Sequence, residues 1–148
     1  MSNTNTDAVK ALGRRWQTDI WNAGSLSAAL AAAEQIVAPD FTDHSRPPML
    51  PDGLEGLKQQ ITIFYEAFPN IWSHVEDVLA EGDRVVVRWT GGGTHQGSFF
   101  GLPPTGRSGS TTGIHIFRVA GDRIVEHWGN SDDLGLMNQL TAPQPAPA

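Results

Sequence analysis

The sequence predicts an α+β domain in which helices cover one face of a curved antiparallel sheet. Three observations lead there. The 148 residues are enough for one sizeable core and too few for two. The first half repeats its apolar residues at intervals of three and four, the period of a helix. The second half repeats them at every second residue and shifts toward Val, Ile, Thr and Trp, the habit of strands.

Asp7 can cap a first helix, on which Val9, Leu12, Trp16 and Ile20 form one apolar stripe before Gly24 ends it. Ser25 can cap a second, alanine-rich helix that turns Leu30, Ala33, Ile36 and Val37 inward and stops before Pro39. The stretch FTDHSRPPMLPDG then reads as a loop. Asp52 and Glu55 have capping-box spacing for a third helix, where Leu54, Leu57, Ile61, Phe64 and Phe68 recur until Pro69. IWSHVEDVLAEGDRVVVRWTGGGTHQG reads as two strands joined at Glu81-Gly82-Asp83. After the loop FFGLPPTGRSG, the run STTGIHIFRVAGDRIVEHWGNSD reads as a hairpin turning at Gly121-Asp122, and a short helix follows through Leu136 and Leu140. The expected organisation is a flexible N-terminus over 1–8, one domain over 9–140 and a Pro/Ala-rich disordered tail over 141–148.

Composition narrows the function classes. A net charge of -6 with scattered Lys and Arg disfavours a nucleic-acid partner. Without cysteine there is no disulfide framework, thiolate nucleophile or Cys-based zinc site. The five histidines form no HxH or HxxxH pair, so no metal site is expected, and the glycine-rich segments lack a phosphate-loop lysine. The N-terminus lacks the pattern of a secretory signal, and the longest small-apolar run is too short to span a bilayer. The expectation is a cytoplasmic protein with no membrane partner.

Taken in order, FTDHSRPPMLPDGLEGLKQQITIFYEAFPN, GTHQG, GLPPTGR, the HIFR strand and the EHW strand resemble the SnoaL-like polyketide cyclase family of the nuclear-transport-factor-like superfamily, across roughly Val9 to Leu140. The resemblance implies a cone-shaped barrel of a curved sheet wrapped around N-terminal helices, with a deep apolar pocket between them. It also implies homodimerisation through the sheet and cofactor-free acid–base chemistry on a small apolar, aromatic or polyketide-like carbonyl compound. It does not fix one reaction, because cyclases, isomerases, dehydratases, epoxide hydrolases and pure binding proteins share the fold.

Three residues are candidates for catalysis. His115 aligns with a pocket histidine of the antibiotic-making cyclases, and imidazole exchanges protons near neutrality. The acid–base aspartate of those cyclases falls at Gly129 here, a departure that leaves Asp132 as substitute acid or as cap of the last helix, the role expected for Asp133. His44, at the expected pocket mouth, is a candidate for a substrate contact or a proton relay. Candidates for substrate binding are Trp128, Asn130, His95, Arg88, Tyr65, Phe68, Trp16 and Met137. Asn130, the Trp128 Nε1 or a histidine would donate to an enolate.

The turn at Gly121-Asp122 decides which of these share a face. A two-residue turn pairs His115 with Trp128 and groups it with Asn130 and Asp132. A three-residue turn with a bulge pairs it with His127 and groups it with position 129. Two other readings stand beside cyclisation, isomerisation or dehydration: hydrolysis of an epoxide or lactone, and a non-catalytic ligand-binding or dimerisation module, which Gly129 favours.

Overall fold

The computed structural model describes residues 3–143. Helix α1 (Asn3–Arg15) runs without a break into a π-helical segment, Trp16–Trp21, then come α2 (Leu26–Ile36), β1 (Val37–Asp43) and α3 (Gly53–Ala67). Strands β2 (Trp72–Glu81), β3 (Arg84–Thr94), β4 (Ser108–Ala120) and β5 (Arg123–Ser131) follow, and α4 (Asp133–Thr141) closes the described chain. One sheet in the order β1-β5-β4-β3-β2 carries the helices on its inner face. The α+β arrangement is as expected.

Local signals account for most boundaries. The Ser25 hydroxyl caps α2 by accepting the Ala28 N–H at 3.2 Å, and Asp52 caps α3 by accepting the Gly53 N–H at 2.8 Å. Gly82 and Gly121 take positive φ in the two hairpin turns, where a residue without Cβ is unstrained. Within the described residues α1 already begins at Asn3 and α4 reaches Thr141; the remainder of the expected N-terminal segment and tail, residues 1–2 and 144–148, lies outside them.

Three expectations need correction. The segment read as the end of α2 and the start of a loop is strand β1, and it pairs parallel to β5, so the sheet is mixed and, as an open five-stranded sheet, is not a closed barrel. Pro39 disguises it: proline cannot donate to a ladder, but at an edge strand it does not have to. The first helix does not keep one period to Gly24, because it widens to a π-helix at Trp16.

The third correction is the hairpin register. The turn has two residues, with Ala120 opposite Arg123, but a bulge places an extra residue, Val125, in β5. Beyond it Phe117 faces His127 and His115 faces Gly129. Neither expected pairing occurs, and residues 115, 127 and 129 share the inner face.

The main core joins Val9, Leu12, Trp16 and Ile20 to α2, α3 and the inner residues Val85, Val87, Phe117 and Ile124. A second cluster, Ala67, Phe68, Phe99, Leu136 and Leu140, lies under α4. Across the outer face the register aligns Leu79, Val86, Ile116 and Trp128 in one apolar row.

Candidate active site

Three side chains from three places in the sequence meet on the inner face. Asp43 is the last residue of β1 and lies beside His127 in the parallel pair, and β4 places His115 next to them. The Asp43 Oδ1 is 2.9 Å from His127 Nδ1, and His127 Nε2 is 2.8 Å from His115 Nδ1. A carboxylate can only accept, so His127 carries its proton on Nδ1. Its bare Nε2 then accepts the Nδ1–H of His115, which leaves His115 Nε2 as the free lone pair at the end of the chain. Ser45 adds two bonds to Asp43 Oδ1, from its N–H and its hydroxyl, each 3.0 Å.

The charges follow from this arrangement. Burial pushes the Asp43 carboxyl up, but His127, by hydrogen bond and charge, and Ser45, by two hydrogen bonds, outweigh it and hold the pKa below the usual carboxylate value. Burial, and secondly the charge that His127 can bear, press the His115 pKa well below the ordinary imidazole value. His115 is therefore neutral at neutral pH and presents an acceptor nitrogen.

Aromatic rings hold the pair. Trp89 stacks on His115 at 5.5 Å between ring centres, Phe117 stacks on His127 at 5.1 Å, and Trp16 touches both, at 5.9 and 4.8 Å. Trp16 belongs to the π-helical segment. The indole N–H groups of Trp16 and Trp89 and the Gln17 Oε1 are buried without a hydrogen-bond partner among the described residues.

Gly129 acquires a physical reason. A Cβ there would lie 2.8 Å from His115 Nδ1 and 2.9 Å from His127 Nε2, the two atoms of their mutual hydrogen bond. Any side chain would press on that bond from the sheet. The position that aligns with the cyclase acid is occupied by the room two histidines need.

The other sequence candidates are dispersed. Asp132 does not approach His115; its carboxylate caps α4, accepting the Gly135 N–H at 2.9 Å. Asp133, expected as the cap, instead accepts from the Ser131 hydroxyl at 2.6 Å. His44 stands on the outer face, with Nε2 2.7 Å from Glu126 Oε2 and its ring stacked on Trp128 at 4.9 Å. The place beside the histidine pair is taken not by His44 but by its neighbour Asp43, because alternation along a strand turns adjacent residues to opposite faces. Arg88, Trp128, Asn130 and Asp132 line an outer-face hollow of about 550 Å³, away from the histidine pair.

His95 is fully buried in the second cluster against Phe68, and Met137 packs on that cluster. The Tyr65 hydroxyl donates to the Ile20 carbonyl and accepts the Ala23 N–H, so it ties down the end of the π-helical segment. Of the expected binding residues, only Trp16 touches the pair. Asp43 and His127 were missed as members of a site. The signal that could have found them is the double alternation of His115/Phe117 against His127/Gly129, which needed the bulge to be read.

A family model described as SnoaL-like polyketide cyclase matches residues 11–140. The chain belongs to the SnoaL-like polyketide cyclase family. A SnoaL-like fold is also what the solved structures show: TsrD from Streptomyces laurentii is 26% identical with a TM-score of 0.80, covering 93% of this chain and 97% of that one. A candidate SnoaL-like polyketide cyclase from Jannaschia gives the same identity and TM-score, covering 93% and 94%.

Among curated relatives, the aklanonic acid methyl ester cyclase DnrD of Streptomyces peucetius is 35% identical over 77 residues, 51% of this chain and 53% of its own length. The corresponding cyclase DauD of Streptomyces sp. strain C5 is 35% identical over 77 residues, 51% of this chain and 48% of its own. The match therefore spans about half the length of each. Among the described residues no helix is long and apolar enough to cross a membrane, and no group of three His, Cys, Asp or Glu residues could hold a metal ion.

Proposed function

We propose that this SnoaL-like chain is a cyclase-type enzyme that removes a proton next to the carbonyl of a small apolar, polyketide-like compound, with His115 Nε2 as the base. The observation that carries the reading is the Asp43–His127–His115 chain, two hydrogen bonds of 2.9 and 2.8 Å ending in a free imidazole nitrogen. When Nε2 takes the proton, the positive charge on His115 is stabilised through His127 by the Asp43 carboxylate, a carboxylate-to-imidazole support extended by one ring. The enolate formed closes a ring, isomerises or loses an oxygen substituent. No cofactor is required for these steps.

This reading also changes the meaning of Gly129. A chain that needs two histidines in contact needs glycine beside them, so its presence fits a working site as well as a lost acid. The test is exchange of the acidic C–H protons of 1-tetralone, followed by NMR in deuterated buffer. Exchange catalysed by the wild type and reduced by about 10²–10⁴-fold in His115→Gln supports the assignment; equal rates in the two proteins refute it.

The outer apolar row of Leu79, Val86, Ile116 and Trp128 supports a homodimer formed through the sheet. Leu79 is 62% exposed and Ile116 37%. Light scattering checks this: Ile116→Lys is expected to be a monomer where the wild type is a dimer.

A further inference from the structure

The sheet is cleared for the ring of Trp89. In the β3–β4 ladder Trp89 stands opposite Gly113, and Gly91 follows it by two residues on the same face of β3. A Cβ on Gly113 would come within 2.6 Å of Trp89 Cε2 and Cζ2 and 2.7 Å of its Nε1, and one on Gly91 within 3.0 Å of its Cζ3. The Gly113 contacts span both rings of the indole, which therefore lies flat over the strands. Neither glycine takes a positive φ, so what each supplies here is room.

Held in this way, the indole is parallel to the base. The rings of Trp89 and His115 are inclined by 9° with centres 5.5 Å apart, whereas Trp16 meets the same imidazole at 63°. A cation over an aromatic face is attracted within about 6 Å of the ring centre, and indole has the strongest such face of any side chain. The pose is not free. Trp89 Nε1 is buried without a hydrogen-bond partner among the described residues, a state that native interiors avoid, and a purely apolar side chain would cover the sheet without it.

The other neighbours leave a charge on His115 poorly supported. The titratable groups facing it are His127 on β5 and, through His127, Asp43 on β1; β3 faces it with Val87 and Trp89, and the π-helical segment with Trp16. The carboxylate thus stands one ring away, and burial works against the charged imidazole.

We infer that Trp89 is a positioning residue for the base: its indole, given room by Gly91 and Gly113, orients the His115 ring and stabilises it by its π face once Nε2 has taken the proton. The inference rests on His115 as the base of the proposed reaction, and it adds a second support to that of Asp43. The two supports act in different directions. Asp43 works along hydrogen bonds in the ring plane and fixes which nitrogen is bare; Trp89 works through the ring face and sets how firmly that nitrogen keeps a proton. Two glycines of the sequence, the first of GGGTHQG and the one in STTGIHIF, thereby gain a role.

The test replaces Trp89 alone, in the full chain, by tryptophans carrying one to four fluorine atoms on the ring. Fluorine draws charge from the ring face while leaving its shape and the burial of His115 nearly unchanged. The His115 pKa is read from its Cε1–H shift in an NMR titration, and exchange of 1-tetralone is measured on the same samples. The expected result is a pKa that falls with each added fluorine, by about 0.4–1.5 pH units over the series, with the exchange rate at pH 7 falling in step. The same series at Trp72, which lies against His74, is expected to leave His115 unchanged.

An indole that only shields the base from water gives a pKa indifferent to fluorine, and that result overturns the inference, as does an equal response to fluorination of Trp72. Where the fold is lost before His115 titrates, the exchange rate at pH 7 carries the same test: a rate that does not decline with fluorination overturns the inference, and no exchange at all overturns it together with the base. A fluorine-dependent pKa in a protein without exchange keeps Trp89 as the support of the charged ring and removes His115 as base. Exchange that ignores fluorination does the reverse.

Discussion

Replacing Gly129 with alanine should uncouple the two histidines while changing nothing else in the chemistry. The added Cβ would stand 2.8 Å from His115 Nδ1 and 2.9 Å from His127 Nε2. Carbon and nitrogen normally rest about 3.5 Å apart, so each ring has to retreat by roughly 0.6 Å. The hydrogen bond between them is now 2.8 Å, and retreat from a shared point carries it to about 3.3 Å or more, beyond the useful range for N–H bonds. The rings cannot retreat freely, because Phe117, Trp16 and Trp89 lie against them.

Two effects are expected from Gly129→Ala. Overpacking costs about 1–3 kcal/mol of stability. Proton exchange falls by about 10²-fold or more as the support for the charged base is lost. The assay is ¹⁵N NMR of the histidine rings beside the exchange rate. Wild type should show both rings protonated on Nδ1 with a coupling across the Nδ1–H···Nε2 bond, and Gly129→Ala should lose the coupling. A variant that keeps both the coupling and the wild-type rate would refute the geometry from which the relay is argued.

Further tests follow from the same structure. Asp43→Asn should lower exchange by about 10²–10³-fold and free the His127 tautomer, visible in the same ¹⁵N spectrum, whereas Asp132→Ala should cost about 1 kcal/mol as a lost helix cap in thermal unfolding and leave exchange unchanged. Because burial depresses the His115 pKa, the unfolded chain takes up a proton at this residue that the folded chain refuses. Stability should therefore fall as pH drops below about 6.5, by up to about 1.4 kcal/mol per pH unit, until His115 also protonates in the fold, and His115→Phe should flatten that slope in melts between pH 7 and 5. The exchange rate of wild type should be level across neutral pH and fall only in acid, as a base with a lowered pKa requires; a midpoint above 7 would contradict the assignment.

The sequence was legible where one period held over a whole element. Leu57, Ile61 and Phe64 announced α3, and the turns at Gly82 and Gly121 announced the hairpins. It was illegible where a single residue changed the phase. Trp16 widens a helix, Pro39 hides an edge strand, and Val125 slips a hairpin by one position; none has a strong local signature. His115 was recognisable from its strand and from the family pattern. Asp43 and His127 were not, because their partnership crosses 84 positions of sequence and depends on the parallel pairing of β1 with β5.

The bulge at Val125 carries a further consequence, for the inheritance of such a site. The side chain of Val125 takes no part in the proposed chemistry, yet whether the residue is bulged or paired sets an odd-or-even switch for everything downstream in β5. A regular ladder that paired Val125 instead of bulging it would turn His127 and Gly129 to the outside and bring Trp128 and Asn130 in, without altering a single residue of the relay. A lineage could thus gain or lose this site through changes that favour the bulge or the regular ladder, with the Asp43, His115 and His127 side chains intact, and a search that compares those side chains alone would score the two descendants as equivalent.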